Sequence, residues 1–114
     1  MHEVNTMNIY EWQTTGGKNE IEEYFKNTTQ YEQAEYYKIK NEIETKGYQA
    51  FSQLNTRKLY EKLWEIKISQ NRIMYVIVDV ENVYFIHACK KKKGKTEKYE
   101  LDKAIKRAKS ENLM

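Results

Sequence analysis

Two cations stand five residues apart around a polar turn. Lys67 lies near the end of one short alternating segment, and Arg72 begins the next. A guanidinium is permanently charged and can grip two phosphate oxygens at once, so Arg72 is a candidate phosphate-binding group. An equally simple role is an exposed strand-end arginine paired with Glu65, and in either role Arg72 is expected to face solvent. Lys67 lies on the polar face of its segment, across the turn from Arg72, as a candidate base, a phosphate contact or a surface lysine. His87 is the one histidine inside a regular element and titrates near neutrality, which suits acid or base work. It also alternates with Phe85 and Val83, the pattern of a satisfied, partly buried histidine. Lys90, Lys91, Lys92, Lys93 and Lys95 follow it as a basic run.

Charge is distributed unevenly. The whole chain carries +3, yet residues 87–109 hold ten basic against three acidic residues, a surplus of seven that leaves a deficit of four elsewhere. That asymmetry favours a polyanionic partner at one end of the molecule, or else marks a solvated lysine-rich face. One cysteine, Cys89, and two histidines cannot build a structural zinc site, and no acidic pair is clustered as a magnesium site requires. We therefore expect neither metal nor cofactor. No apolar run approaches the roughly 18 residues of a membrane span, and the start of the chain lacks a secretory pattern. A cytoplasmic protein is expected.

The elements that must carry these residues read as one domain over 1–114, with no proline, repeat or linker. Residues 8–14 alternate as a short strand with Tyr10 and Trp12 on one face. A helix over 19–27 collects Ile21, Tyr24 and Phe25, and Thr29 can cap a longer helix over Gln30 to Lys46 that Gly47 ends. The two helices form an antiparallel hairpin. A polar connection follows, with a short helical turn around Leu54 to Lys62. Leu63 to Ser69 alternates strictly, with Trp64, Ile66 and Ile68 facing one way and Glu65, Lys67 and Ser69 the other. Arg72 to Asp79 is apolar on both faces, as a central strand would be, and Val83 to Cys89 supplies a third strand. Leu101, Ala104, Ile105 and Ala108 mark a terminal amphipathic helix. The order predicts an α+β domain, a twisted, mainly antiparallel sheet with an N-terminal helical hairpin and a C-terminal helix, the helices packed on one face.

Four segments together resemble the phage-derived Gp49/HigB-like branch of the RelE/ParE toxin superfamily. They are Leu63-Trp64-Glu65-Ile66-Lys67-Ile68, Asn71-Arg72-Ile73-Met74-Tyr75, the strand exit from Ile86-His87-Ala88-Cys89-Lys90 through Lys91, Lys92, Lys93, Gly94, Lys95 and Thr96, and Ala104-Ile105-Lys106-Arg107. The likeness covers residues 54–110 in motif and residues 1–53 in architecture. This chain departs from the pattern at Lys67 (usually arginine), Asn71 (tyrosine), Cys89 (phenylalanine) and Glu97 (proline). The resemblance implies a RelE-like fold and a type II toxin that cuts messenger RNA without a metal, in the ribosomal decoding site. Lys67, Arg72, Lys91, His87 and Tyr99 would then be the catalytic candidates, with Lys90, Lys92, Lys93 and Lys95 along the RNA. It further implies a helix-turn-helix, HigA-like antitoxin in a hetero-oligomer. Other outcomes are a ParE-like inhibitor of DNA gyrase and a basic nucleic-acid-binding module without activity.

Overall fold

A computed structural model of the chain describes residues 6–91 and 98–114. In chain order it contains β1 (Asn8–Glu11), α1 (Glu20–Lys26), α2 (Gln30–Lys46), a 3-10 segment (Gly47–Gln53), β2 (Thr56–Tyr60), β3 (Leu63–Ile68), β4 (Asn71–Asp79), β5 (Asn82–Lys90) and α3 (Lys98–Ser110). The sheet order is β1-β5-β4-β3-β2. Strand β1 runs parallel to β5, and every other pairing is antiparallel.

The hairpin forms as its caps dictate. Asn19 accepts the Glu22 N–H at 3.0 Å to start α1. Thr29 and Glu32 form a reciprocal capping box at the start of α2, and Gly47 closes it with a positive φ of 68°. Tyr36 and Ile43, seven residues apart on one face of α2, are fully buried. The Phe25 ring stacks on Tyr36 with centroids 4.2 Å apart, which fixes α1 against α2.

Two expectations give way here. The polar stretch after the hairpin holds a fourth antiparallel strand, β2, where a helical turn was expected over Leu54 to Lys62. Its Thr-Arg-Lys-Leu-Tyr sequence is too polar for a buried strand, but an edge strand needs only one covered side. The helices also occupy both faces of the sheet. Ile66, Ile68, Ile73, Tyr75, Val83 and Phe85 meet Ile21 and Phe25 of α1 and Tyr36 and Ile43 of α2. Leu63, Met74, Val76 and Ile86 on the other side meet Ala104 and Ala108 of α3. The cause lies in β4, whose residues are apolar on both sides and so require two covers.

Trp64 falls on the expected face but is 36% exposed, beside the edge strand β2, where its partner is the exposed Lys58. It is not a core residue. Among the described residues no helix is long and apolar enough to cross a membrane.

Candidate nucleic-acid interface

The turn between β3 and β4 gathers the cations. Register sets Lys67 opposite Arg72, and Arg72 in turn opposite Cys89 of β5, so the three share one face. Arg72 is 7% exposed, which corrects the expectation of a solvent-facing arginine. Its Nη1 donates to the carbonyls of Ser69 (3.2 Å) and Asn71 (2.8 Å), and its Nε lies 3.9 Å from Glu65 Oε2. Arg57 Nη2 approaches the same oxygen at 3.1 Å. The buried Glu65 carboxylate thus sits between two guanidiniums. Arg57 comes from β2, so a reading without that strand could not see it. Lys67 is half-buried.

The strand exit joins this turn. Lys90 pairs with Asn71, and the exposed Lys91 donates its backbone N–H to Gln70 at 2.6 Å. Lys92, Lys93, Lys95 and Glu97 lie outside the described residues. Tyr99 is exposed in the first turn of α3.

His87 belongs to a different constellation from the one its alternation implied. A bulge shifts the β4–β5 register between Met74 and Tyr75, so His87 pairs with Met74 while Phe85 pairs with Tyr75. The imidazole therefore lies on the α3 face and not with Phe85 and Val83. Its Nε2 is 2.8 Å from Glu100, and its Nδ1 is 3.2 Å from Arg107 Nη1. Arginine only donates, so Nδ1 accepts and the ring hydrogen sits on Nε2, pointing at Glu100. Burial is the largest influence and lowers its pKa; the Glu100 hydrogen bond acts in the opposite direction without cancelling it. The ring is neutral at pH 7.

Arg107 extends this network. It donates to Glu20 Oε2 at 2.5 Å and to the Ile86 carbonyl at 3.3 Å, and its guanidinium stacks 3.9 Å over Trp12. Burial would raise the Glu20 carboxyl, but the Arg107 hydrogen bond and charge hold it below its ordinary value. From sequence Arg107 entered only as the end of the Ala104-Ile105-Lys106-Arg107 segment, without a site role, and Glu100 was not singled out, although both stand on the helix face that carries Ala104 and Ala108.

His87, Cys89 and Glu100 present ligand-type atoms within 4.8 Å of one another, a grouping that residue counting did not foresee. Holding a cation there requires a bare Nε2 and a hydrogen on Nδ1. Arg107 opposes both the tautomer and the charge.

A twisted sheet with a helical hairpin on one face, a C-terminal helix on the other and a cationic turn at one end defines a small RelE-like α+β domain. The profile of the phage-derived protein Gp49-like family (DUF891) matches residues 23–109, from α1 through nearly all of α3. The chain belongs to that family, a RelE/HigB-like toxin branch. The match reaches well into the hairpin, upstream of the motifs that carried the sequence likeness. Among curated proteins, none matches the chain significantly.

Proposed function

We propose that this toxin cuts messenger RNA, using cationic side chains to stabilise the reacting phosphate. The observation that carries the reading is the Lys67–Arg72 pair at the sheet end where the lysine-rich exit leaves β5. Cleavage within an RNA chain needs a 2′-hydroxyl deprotonated, a 5′-oxygen protonated and a crowded phosphorane stabilised. Lys67 is assigned to the phosphate. Arg72, already fixed by two carbonyls, adds positive field from beneath without reorganising as charge develops. Lys91, with Lys90, Lys92, Lys93 and Lys95, holds the RNA backbone. Tyr99 serves base stacking or proton transfer from its exposed place. His87 has both ring nitrogens engaged, so its role in this reading is to set α3, and Tyr99 with it, against β5. The partners proposed are messenger RNA on the ribosome and a helix-turn-helix antitoxin, in the cytoplasm.

The test is purified protein with translating ribosomes and a defined message, run beside a gyrase supercoiling assay. Cuts should appear within codons and fall at least a hundredfold in Lys67→Ala, with the circular dichroism unchanged. An intact message together with blocked supercoiling would replace this reading with gyrase inhibition.

A further inference from the structure

Around the edge from the cationic pair, the α1–α2 turn and the β3–β4 turn enclose an open cleft of about 760 Å³. Its walls include Tyr24, Tyr31, Glu32, Asn71 and Lys90. The polar groups inside are oriented in one direction. Tyr24 donates its hydroxyl to Asn71 Oδ1 at 2.6 Å, Asn71 donates its amide to Glu32 Oε2, and Thr29 donates its hydroxyl to Glu32 Oε1 at 2.9 Å. Every hydrogen in the chain therefore ends on the Glu32 carboxylate. Those bonds, Asn71's first, hold Glu32 below its ordinary carboxyl range, with Lys90 adding a smaller pull.

We propose that this cleft seats one nucleobase of the RNA strand, with guanine preferred. The inference rests on the reading of the chain as an RNA-cutting toxin and names a specificity site for it. A phosphate does not belong in the cleft, since an ionised carboxylate lies there and the capping box already uses N–H donors of the first α2 turn. A carboxylate only accepts, and of the about four lone-pair positions on its two oxygens, Asn71 takes one on Oε2, while the Thr29 hydroxyl and, at 3.4 Å, the Thr29 N–H of the capping box approach Oε1. The matching ligand presents adjacent donors. Guanine does so with its ring N1–H and its 2-amino group. Adenine and cytosine place a ring acceptor beside their amine, and uracil flanks its single N–H with two carbonyls. Tyr31, 70% exposed at the mouth, supplies the ring face on which a base can stack. Lys90 stands at the cleft wall and at the strand exit, where the phosphate leading from the base would pass. The cleft also adjoins the proposed site directly, because Arg72 grips the Ser69 and Asn71 carbonyls of the same turn.

The experiment is a titration of the full chain with GMP, AMP, CMP and UMP, followed by amide chemical shifts in ¹H–¹⁵N NMR spectra. GMP should move Tyr31, Glu32, Asn71 and Lys90, and bind at least tenfold tighter than CMP or UMP. Glu32→Gln keeps a residue competent in the capping box, so α2 should persist while the GMP preference disappears. Tyr31→Ala should weaken all four nucleotides alike. Equal binding of the four, shifts confined to other surfaces, or a Glu32→Gln variant that still prefers GMP would overturn the proposal. GMP in the cleft of a protein that never cuts a message would leave this site standing and remove the nuclease reading. Cutting without nucleotide shifts in the cleft would do the reverse.

Discussion

At the scale of single residues, burial separates two cations that the sequence made look equivalent. Lys67 is half-buried, and among the described residues its side chain is not part of a hydrogen bond or ion pair, so Lys67→Ala should change stability by less than about 0.5 kcal/mol. Arg72 ties the turn to Glu65 with charged hydrogen bonds and an ion pair, and Arg72→Ala should cost about 1.5–3 kcal/mol. Urea unfolding of both variants checks this; equal midpoints would contradict the buried placement. An activity loss in Arg72→Ala therefore speaks about catalysis only after its fold has been measured. Trp64→Ala should cost about 1–2 kcal/mol, below the 3–5 kcal/mol of a fully buried aromatic, because the ring is partly in water. His87 adds a pH dependence of definite sign. Burial holds its folded pKa below the ordinary value, with Glu100 opposing and Arg107 and Lys103 assisting. The unfolded chain thus binds a proton that the folded chain refuses. Stability should be complete above about pH 6.5 and decline as pH falls through the folded pKa. In thermal melts, His87→Gln should lose less stability than the parent between pH 7 and pH 5; identical slopes would place the pH dependence in other groups.

At the scale of elements, α3 is held by Ala104 and Ala108 in the core, by the Glu100–His87 contact and, through several partners at once, by Arg107. Arg107 joins Glu20 before the hairpin core, the bulged carbonyl of Ile86, His87 Nδ1 and the Trp12 ring, so four segments distant in sequence meet there. Arg107→Ala should cost about 3 kcal/mol, combining lost charged hydrogen bonds with a buried cation–π contact. Faster amide exchange should then appear in α3 before β4. Loss of exchange protection across the whole sheet at once would show that α3 is no separate unit. Much of the frame that carries this contact was legible in sequence. The caps at Thr29 and Gly47, the strict alternation of β3 and the two-sided apolar run of β4 are local signals, and local physics sets them. What escaped was set by partners. Strand β2 exists because β3 offers it an edge, and no periodicity in Thr56–Tyr60 announces that. The Ile86–His87 bulge is a register shift between two strands, invisible along either one alone, and it moves His87 to the opposite face. The same limit applies to the candidate site. Lys67 and Arg72 face each other across a two-residue turn, so spacing sufficed to join them. Arg57 reaches Glu65 only through β2, and Glu32 reaches Asn71 only once the hairpin has docked.

At the scale of the whole molecule, the decisive quantity is the separation of charge along the chain. Residues 87–109 hold a basic surplus of seven within a chain of net charge +3, and the described part of that surplus begins at the same turn as Lys67 and Arg72. Such a field attracts any polyanion, so affinity alone does not distinguish a bound strand from a passing counterion. Salt dependence does. Each phosphate neutralised on a single strand contributes about −0.7 to the slope of log affinity against log salt. Three to six contacts, from Lys67, Lys90, Lys91 and their neighbours, should give a slope between about −2 and −4 for an unstructured RNA oligonucleotide. Between 50 and 200 mM salt, the affinity should then fall by about 16- to 250-fold. Replacing Lys90 and Lys91 together by glutamine should make the slope shallower by about 1.4, one phosphate per lysine, while leaving the melting temperature unchanged, since both side chains are exposed. Fluorescence anisotropy across a salt series measures both quantities. A slope that survives the double substitution would mean that these two lysines are merely solvated, and that the RNA backbone follows a path away from the strand exit.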